Sequence, residues 1–199
     1  MKFRPKKELY VLVGAIGVSL LGVAGVALEP ADAAITSART LVGVPAFKQE
    51  KTNWCWAAST QMLENYVKKG VNNTQCREWL WGKNQANPPC DNTGGTYAET
   101  QRALTSAQVY TTGFSGLPLA SGIKSQIDAN HPMMYFYNYK SGSGGHVVVI
   151  YGYEFDDVTG QRLWYVDPLG GSRVRASVSW MADNGNWSAA YTRINTRRL

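Results

Sequence analysis

Histidine and cysteine are scarce in this chain, with two of the former and three of the latter in 199 residues. No C-x-x-C pair or comparable ligand spacing occurs, so a structural zinc, and with it any metal site, drops out of the reading. Basic residues are thinly spread, and only the tail "TRINTRRL" concentrates them. No stripe of lysine and arginine interleaves with aromatics, which argues against a nucleic-acid partner. Internal repeats and low-complexity tracts are absent. Long apolar runs are missing except at the start, where Leu9 to Leu28 is almost all apolar or Gly.

That run follows Lys2, Arg4, Lys6 and Lys7 and precedes Ala31-Asp32-Ala33, the three-part pattern of a secretory signal peptide. No cysteine follows it, which speaks against a lipoprotein-type anchor. The run is long enough to cross a bilayer if uncut, so a retained anchor is the alternative and the only route to membrane contact. Residues 1–33 therefore read as a leader, 34–43 as a short N-terminal segment and 44–199 as one domain, secreted and monomeric. Cutting after Ala33 leaves 166 residues with 16 basic and 11 acidic side chains, a net +5. That length suffices for one hydrophobic core.

An exported chain meets oxidising conditions, in which two of three cysteines tend to pair. Cys76 and Cys90 bracket "CREWLWGKNQANPPC", and a bridge between them closes a 15-residue loop. Such a loop is worth roughly 3 kcal/mol by chain entropy. Cys55 is then the odd thiol.

The first half reads as helix. From Cys55, apolar or small residues recur at Ala58, Ser59, Met62, Leu63 and Tyr66, and Gly70 after Lys68-Lys69 is a suitable stop. A shorter helix is expected over Thr74 to Trp81, and Thr96 with Glu99 forms the T-x-x-E of a capping box. Ile123 and Ile127 mark a further turn or two. After Pro132 the character changes. "MMYFYNY", "HVVVIYGYEF" and "RLWYV" read as strands, with "SRVRASVSWM" and "WSAAYTRI" as two more. Helices followed by strands give an α+β domain with an antiparallel sheet.

Cys55 sits in the first turn of its helix, where free N–H groups and the dipole favour a thiolate, the nucleophilic form of the residue. A neighbouring imidazole would complete the activation, and a polar group must hold that ring. His146 follows "SGSGG" and opens a strand, so substrate backbone can pass close to it; His131, before Pro132 in a turn, is the second choice. Asp167 in "WYVDPLGG" is the candidate orienting group, and it also reads as a turn-forming Asp before Pro168. A symmetric hairpin centred on Val158-Thr159 sets Asp167 opposite Ile150, four residues from His146. A bulge or a diagonal reach must close that gap.

Taken together, Gln49, Cys55 within "NWCWAAS", "GGHVVVIYGY" and "VDP" resemble a papain-like cysteine peptidase, most similarly the bacterial branch of AvrRpt2-type and peptidase C39-like proteins. The resemblance runs from Val44 to Pro168. It implies a helical half packed on an antiparallel β half with the active-site cleft between, a protein or peptide substrate and no cofactor. It implies Cys55 as nucleophile, His146 as general base and Asp167 as its orienting residue. It adds Gln49, whose side chain would form the oxyanion hole with the Cys55 backbone N–H. Trp56, Trp180 and Trp187 are candidates for the cleft walls. With about ten residues between Ala33 and Val44, an inhibitory prodomain of the eukaryotic papain kind is not expected. The same triad also serves cell-wall amidases and transglutaminase-like acyl transferases. A non-catalytic binding or toxin-accessory module, using some of the seven tryptophans and eleven tyrosines, is the contrasting reading.

Overall fold

The computed structural model describes residues 36–71, 73–142 and 144–199. The expected leader over 1–33 lies outside them. Among the described residues, no helix is long and apolar enough to cross a membrane. The elements in chain order are β1 (Thr36–Thr40), α1 (Cys55–Lys68), α2 (Gln75–Lys83), α3 (Tyr97–Ser106), β2 (Val109–Ser115) and α4 (Ala120–Asp128). They continue as β3 (Met133–Tyr139), β4 (Gly145–Asp156), β5 (Gly160–Asp167), β6 (Ser172–Ser177), α5 (Val178–Ala182) and β7 (Trp187–Arg198).

The helix ends follow local chemistry. Thr96 accepts from the Glu99 N–H while the Glu99 carboxylate accepts from the Thr96 N–H, so both halves of the capping box at α3 form. Thr74 caps α2 by accepting from the Arg77 N–H, which starts that helix one residue later than expected; it runs on to Lys83, where Asn84 in the left-handed region ends it. "SRVRASVSWM" does not stay extended. Ser177 accepts from the Trp180 N–H, and this local bond turns residues 178–182 into α5.

All strand pairs are antiparallel, in the order β2-β7-β3-β4-β5-β6, with β1 on β4. β3 takes one edge of β4 over Gly145–Ile150, and β1 continues along Gly152–Asp156, so the segment over 34–43 contributes a strand of this sheet. β1 and β2 had no sequence signal strong enough to read; both lie in the half that reads as helical. β4 is buried from His146 to Tyr153 on both faces, as its unbroken apolar run requires. α1 and α4 pack against it. Helices over the first half and strands over the second thus form the α+β domain expected.

The β4–β5 hairpin carries the detail on which the site depends. Asp156 pairs with Gly160, so the turn centres on Val158 and not between Val158 and Thr159 as expected, and the register runs regularly to Gly152 opposite Trp164. It then slips, so that Ile150 opposes Tyr165 and Val149 opposes Val166, leaving Tyr151 as the extra residue of a bulge. Continued without the slip, Asp167 would oppose Val149 and face away from His146, because side chains alternate faces with period two. With it, Asp167 falls beside Val148, on the same face as His146 and two residues along.

α1 and α2 are joined by buried carboxyl chemistry as well as apolar packing. Glu64 and Glu78 are both almost fully buried. Glu64 accepts from Lys68 and from Asn73, whereas no N–H or O–H reaches either Glu78 oxygen. A proton on Glu78 turns the contact into a hydrogen bond to Glu64. Burial, that bond and the Glu64 charge push Glu78 well above the usual carboxylate range. Because the folded state holds this proton more tightly than the unfolded chain, the stabilisation is full below the unfolded value and is lost as pH rises toward the folded one. Glu78→Gln, neutral at every pH, should remove a slope of about 1.4 kcal/mol per pH unit and melt above the wild type at pH 8. Thermal melts of the two proteins from pH 5 to 9 provide the check; parallel curves would show that the pair does not share a proton.

Candidate active site

Cys55 is the first residue of α1, and its predecessor Trp54 supplies no capping side chain, so the helix N–H groups there stay open. The approach to this turn is held by its neighbours. Trp54 donates its indole N–H to Asp91 O at 2.9 Å and Trp56 donates to Thr93 O at 3.3 Å. Asn53 pairs twice with Asn92, whose amide reaches back to Thr52. Lys51 donates to Cys90 O, and Cys90 is disulfide-bonded to Cys76. Both tryptophans flanking Cys55 are buried at about 1% exposure and pin the 91–93 stretch to the head of α1. Gly95 is needed here, since a Cβ on it would lie 2.3 Å from the Trp56 ring.

His146, 7% exposed, lies at the start of β4 opposite Tyr137 of β3, whose ring packs edge-on against it at 5.5 Å. His146 Nε2 and Asp167 Oδ1 are 2.7 Å apart, which leaves Nδ1 for the thiol. Asp167 Oδ1 also accepts from the Leu169 N–H at 2.9 Å, so the turn role and the orienting role coexist. Burial disfavours a charged His146. Hydrogen bonds to Asp167 and Cys55 and their negative charge outweigh it, and the ring is pushed up to about 9. Burial likewise works against the Asp167 carboxylate, yet the bonds from His146 and Leu169 hold it below its ordinary value. The imidazolium is thus the favoured form of His146, as a thiolate–imidazolium pair requires.

Gln49 lines the cleft beside Cys55 and is 7% exposed. Its Nε2 donates to Lys51 O at 2.9 Å and Thr52 O at 2.7 Å, while Oε1 is buried without a partner. Its backbone N–H donates to Pro168 O at 2.7 Å, tying this arm to the turn that carries Asp167.

The cleft encloses about 890 Å³ and brings together Gln49, Cys55, Trp56 and His146. Of the proposed wall tryptophans only Trp56 lines it. Trp187 stacks behind Tyr137 at 4.6 Å, and Trp180 meets Trp187 edge-on and lines a separate hollow with Tyr165 and Val174. The aromatic wall is instead Tyr97, Phe136, Tyr137 and Tyr139. Tyr97 stacks on Tyr191 at 4.7 Å, and its carbonyl accepts from the buried Arg193, a guanidinium whose acceptors are neutral groups. Burial lowers the Arg193 pKa accordingly. No Lys, Arg, Asp or Glu occurs among the described lining residues. Gly94 and Gly95 form part of the wall and were legible only as a Gly-Gly pair after Cys90. His131 lies in the α4–β3 turn with Nδ1 unpartnered, away from the cleft lining, and burial, with the charge of Arg197, lowers its pKa.

No curated protein matches the chain. Among solved structures, the peptidase domain of Streptococcus ComA, a bi-functional ABC transporter involved in quorum sensing, superposes with a TM-score of 0.55 at 16% identity, over 77% of this chain and 97% of that one. A protein from Bacillus anthracis solved as a C39-like peptidase gives 0.52 at 15% identity, over 82% of this chain and all of that one. At such identities the likeness shows a shared fold. The family model described as Peptidase_C39 like family matches residues 41–195, a range that includes Gln49, Cys55, His146 and Asp167. The chain belongs to the Peptidase_C39 like family.

Proposed function

We propose that this chain is a secreted thiol peptidase that hydrolyses peptide bonds in protein or peptide substrates through an acyl-enzyme on Cys55. The observation that carries the reading is the Asp167–His146–Cys55 line, with its 2.7 Å bond, opening into a cleft with no Lys, Arg, Asp or Glu among its described lining residues. The Cys55 thiolate adds to the scissile carbonyl carbon, and the His146 imidazolium gives its proton to the departing amine. Neutral His146 then takes a proton from water, the hydroxide adds to the thioester, and Cys55 leaves as thiolate. Asp167 keeps the ring's Nε2 end fixed throughout.

In this reading, the Cys55 N–H and Gln49 Nε2 receive the oxyanion. Gln49 releases one of its two loop carbonyls to do so. A charge-assisted bond is roughly twice as strong as the neutral one it replaces, so the exchange is favourable only when the anion exists. Export is supported by the leader pattern of residues 1–33 and by the disulfide.

On casein, with products followed by mass spectrometry, Cys55→Ala and His146→Ala should each lower turnover by roughly 10⁴-fold or more while remaining folded. Asp167→Asn should lower it by less, and His131→Ala should leave it unchanged. Activity tied to His131 would move the base; an amidase would leave casein uncut. In wild-type kcat/KM, the alkaline limb should fall near pH 9, where His146 gives up its proton. In Asp167→Asn the limb should shift to lower pH, because the imidazolium loses its anionic partner. An unmoved limb would assign it to another group.

A further inference from the structure

Gln75, the first residue of α2, is 2% exposed and lies outside the cleft lining. Both ends of its amide engage one short piece of backbone. Oε1 accepts from the Glu50 N–H at 2.8 Å, and Nε2 donates to Lys48 O at 2.8 Å. One acceptor and one donor, set on alternate residues, is what the edge of a neighbouring strand would offer. The residue between them is Gln49, and its own N–H is taken from the other side by Pro168 O. The backbone of 48–50 is therefore gripped at three successive residues, two of the grips coming from a single side chain.

The position of that side chain is itself over-determined. Thr74 caps the helix before it, and Cys76 after it is bonded to Cys90, whose carbonyl receives Lys51. Gly171, at φ +66, brings the turn after Asp167 against Lys48, where a Cβ would lie 2.9 Å from the Lys48 nitrogen. The Gln49 arm is thus clamped between α2 and the Asp167 turn. We infer that Gln75 is a positioning residue for oxyanion stabilisation: by fixing the backbone on both sides of Gln49, it sets the place beside the cleft from which the Gln49 amide, once released from one loop carbonyl, donates to the oxyanion. This rests on the reading of Gln49 as an oxyanion donor.

The aim of a donor matters more in the transition state than in the ground state, so loss of Gln75 should appear in kcat. Gln75→Met keeps volume and removes both bonds. It should lower kcat on a casein-derived peptide by roughly 10- to 100-fold, with KM moving less than about 3-fold. Combined with Gln49→Ala, it should add nothing to the loss caused by Gln49→Ala alone, since the effect passes through Gln49. Amide exchange at Glu50 should quicken in Gln75→Met while α1 protection stays unchanged, a readout that needs no substrate. If Gln75→Met does not fold, Gln75→Asn, which keeps the amide on a shorter stem, is read in the same cycle. Multiplying losses in the double variant, an unchanged kcat, or unchanged exchange at Glu50 would overturn the role of Gln75 alone. A silent Gln49→Ala would overturn the oxyanion reading of Gln49 and, with it, the role of Gln75.

Discussion

The hydrogen bond between His146 Nε2 and Asp167 Oδ1 exists because β4 holds one residue more than β5 between Ile150 and Gly152. In a regular ladder, a shift of one position exchanges the two faces of a strand, and Asp167 would then point away from the imidazole. The bulge at Tyr151 restores the face, and a diagonal reach of two residues closes the remaining distance. That bond, with Cys55, raises the His146 pKa; with the Leu169 N–H, it lowers that of Asp167; and it leaves the other ring nitrogen for Cys55. The Cys55–His146–Asp167 arrangement therefore hangs on backbone register as much as on the side chains themselves.

A second constraint acts on the other side of the cleft, where helix and loop rather than strand must be held still. The residues leading into Cys55 belong to no regular element, so their backbone groups need partners from elsewhere. Asn92, Gln75 and the carbonyls of Asp91 and Thr93 supply partners or receive the indole N–H groups, and the Cys76–Cys90 bridge ties α2 to the end of that loop. Tryptophan suits this place because it combines large apolar area with one donor that must be satisfied when buried. Trp54 and Trp56 are therefore structural anchors first. Trp56 reaches the cleft only because glycine at position 95 lets it approach.

The cleft itself is polar around Gln49, Cys55 and His146, aromatic along the sheet side and without Lys, Arg, Asp or Glu among its described lining residues. The basic excess of the chain is spent elsewhere, partly on Arg193, which is buried without a carboxylate and held by Gln101 and the Tyr97 carbonyl. A guanidinium in that setting anchors the N-terminal turn of α3 through directional donors. Tyr97 is thereby fixed between Tyr191 and Phe136.

Local chemistry was legible in the sequence. The capping box at Thr96, the start of α1 at Cys55, and the strands β3 from Met133 and β4 from Gly145, one residue before the expected start, follow from propensities and periods that a few neighbouring residues settle. The residues that meet at the cleft, Cys55, His146 and Asp167, could be singled out because histidine and cysteine are so few, and the disulfide because its two cysteines enclose a short loop. Gln75, the aromatic wall and the true places of Trp180 and Trp187 were not, since each depends on which distant segments meet. β1 and β2 were missed for the same reason: short strands gain their stability from partners, not from their own pattern. The sequence by itself determined which groups could do thiol chemistry. Only the tertiary structure decided the register, a turn centred on Val158 and a bulge at Tyr151 that together set Asp167 two residues from His146 on the same face, because neither a turn centre nor a one-residue bulge leaves a signature in composition or periodicity.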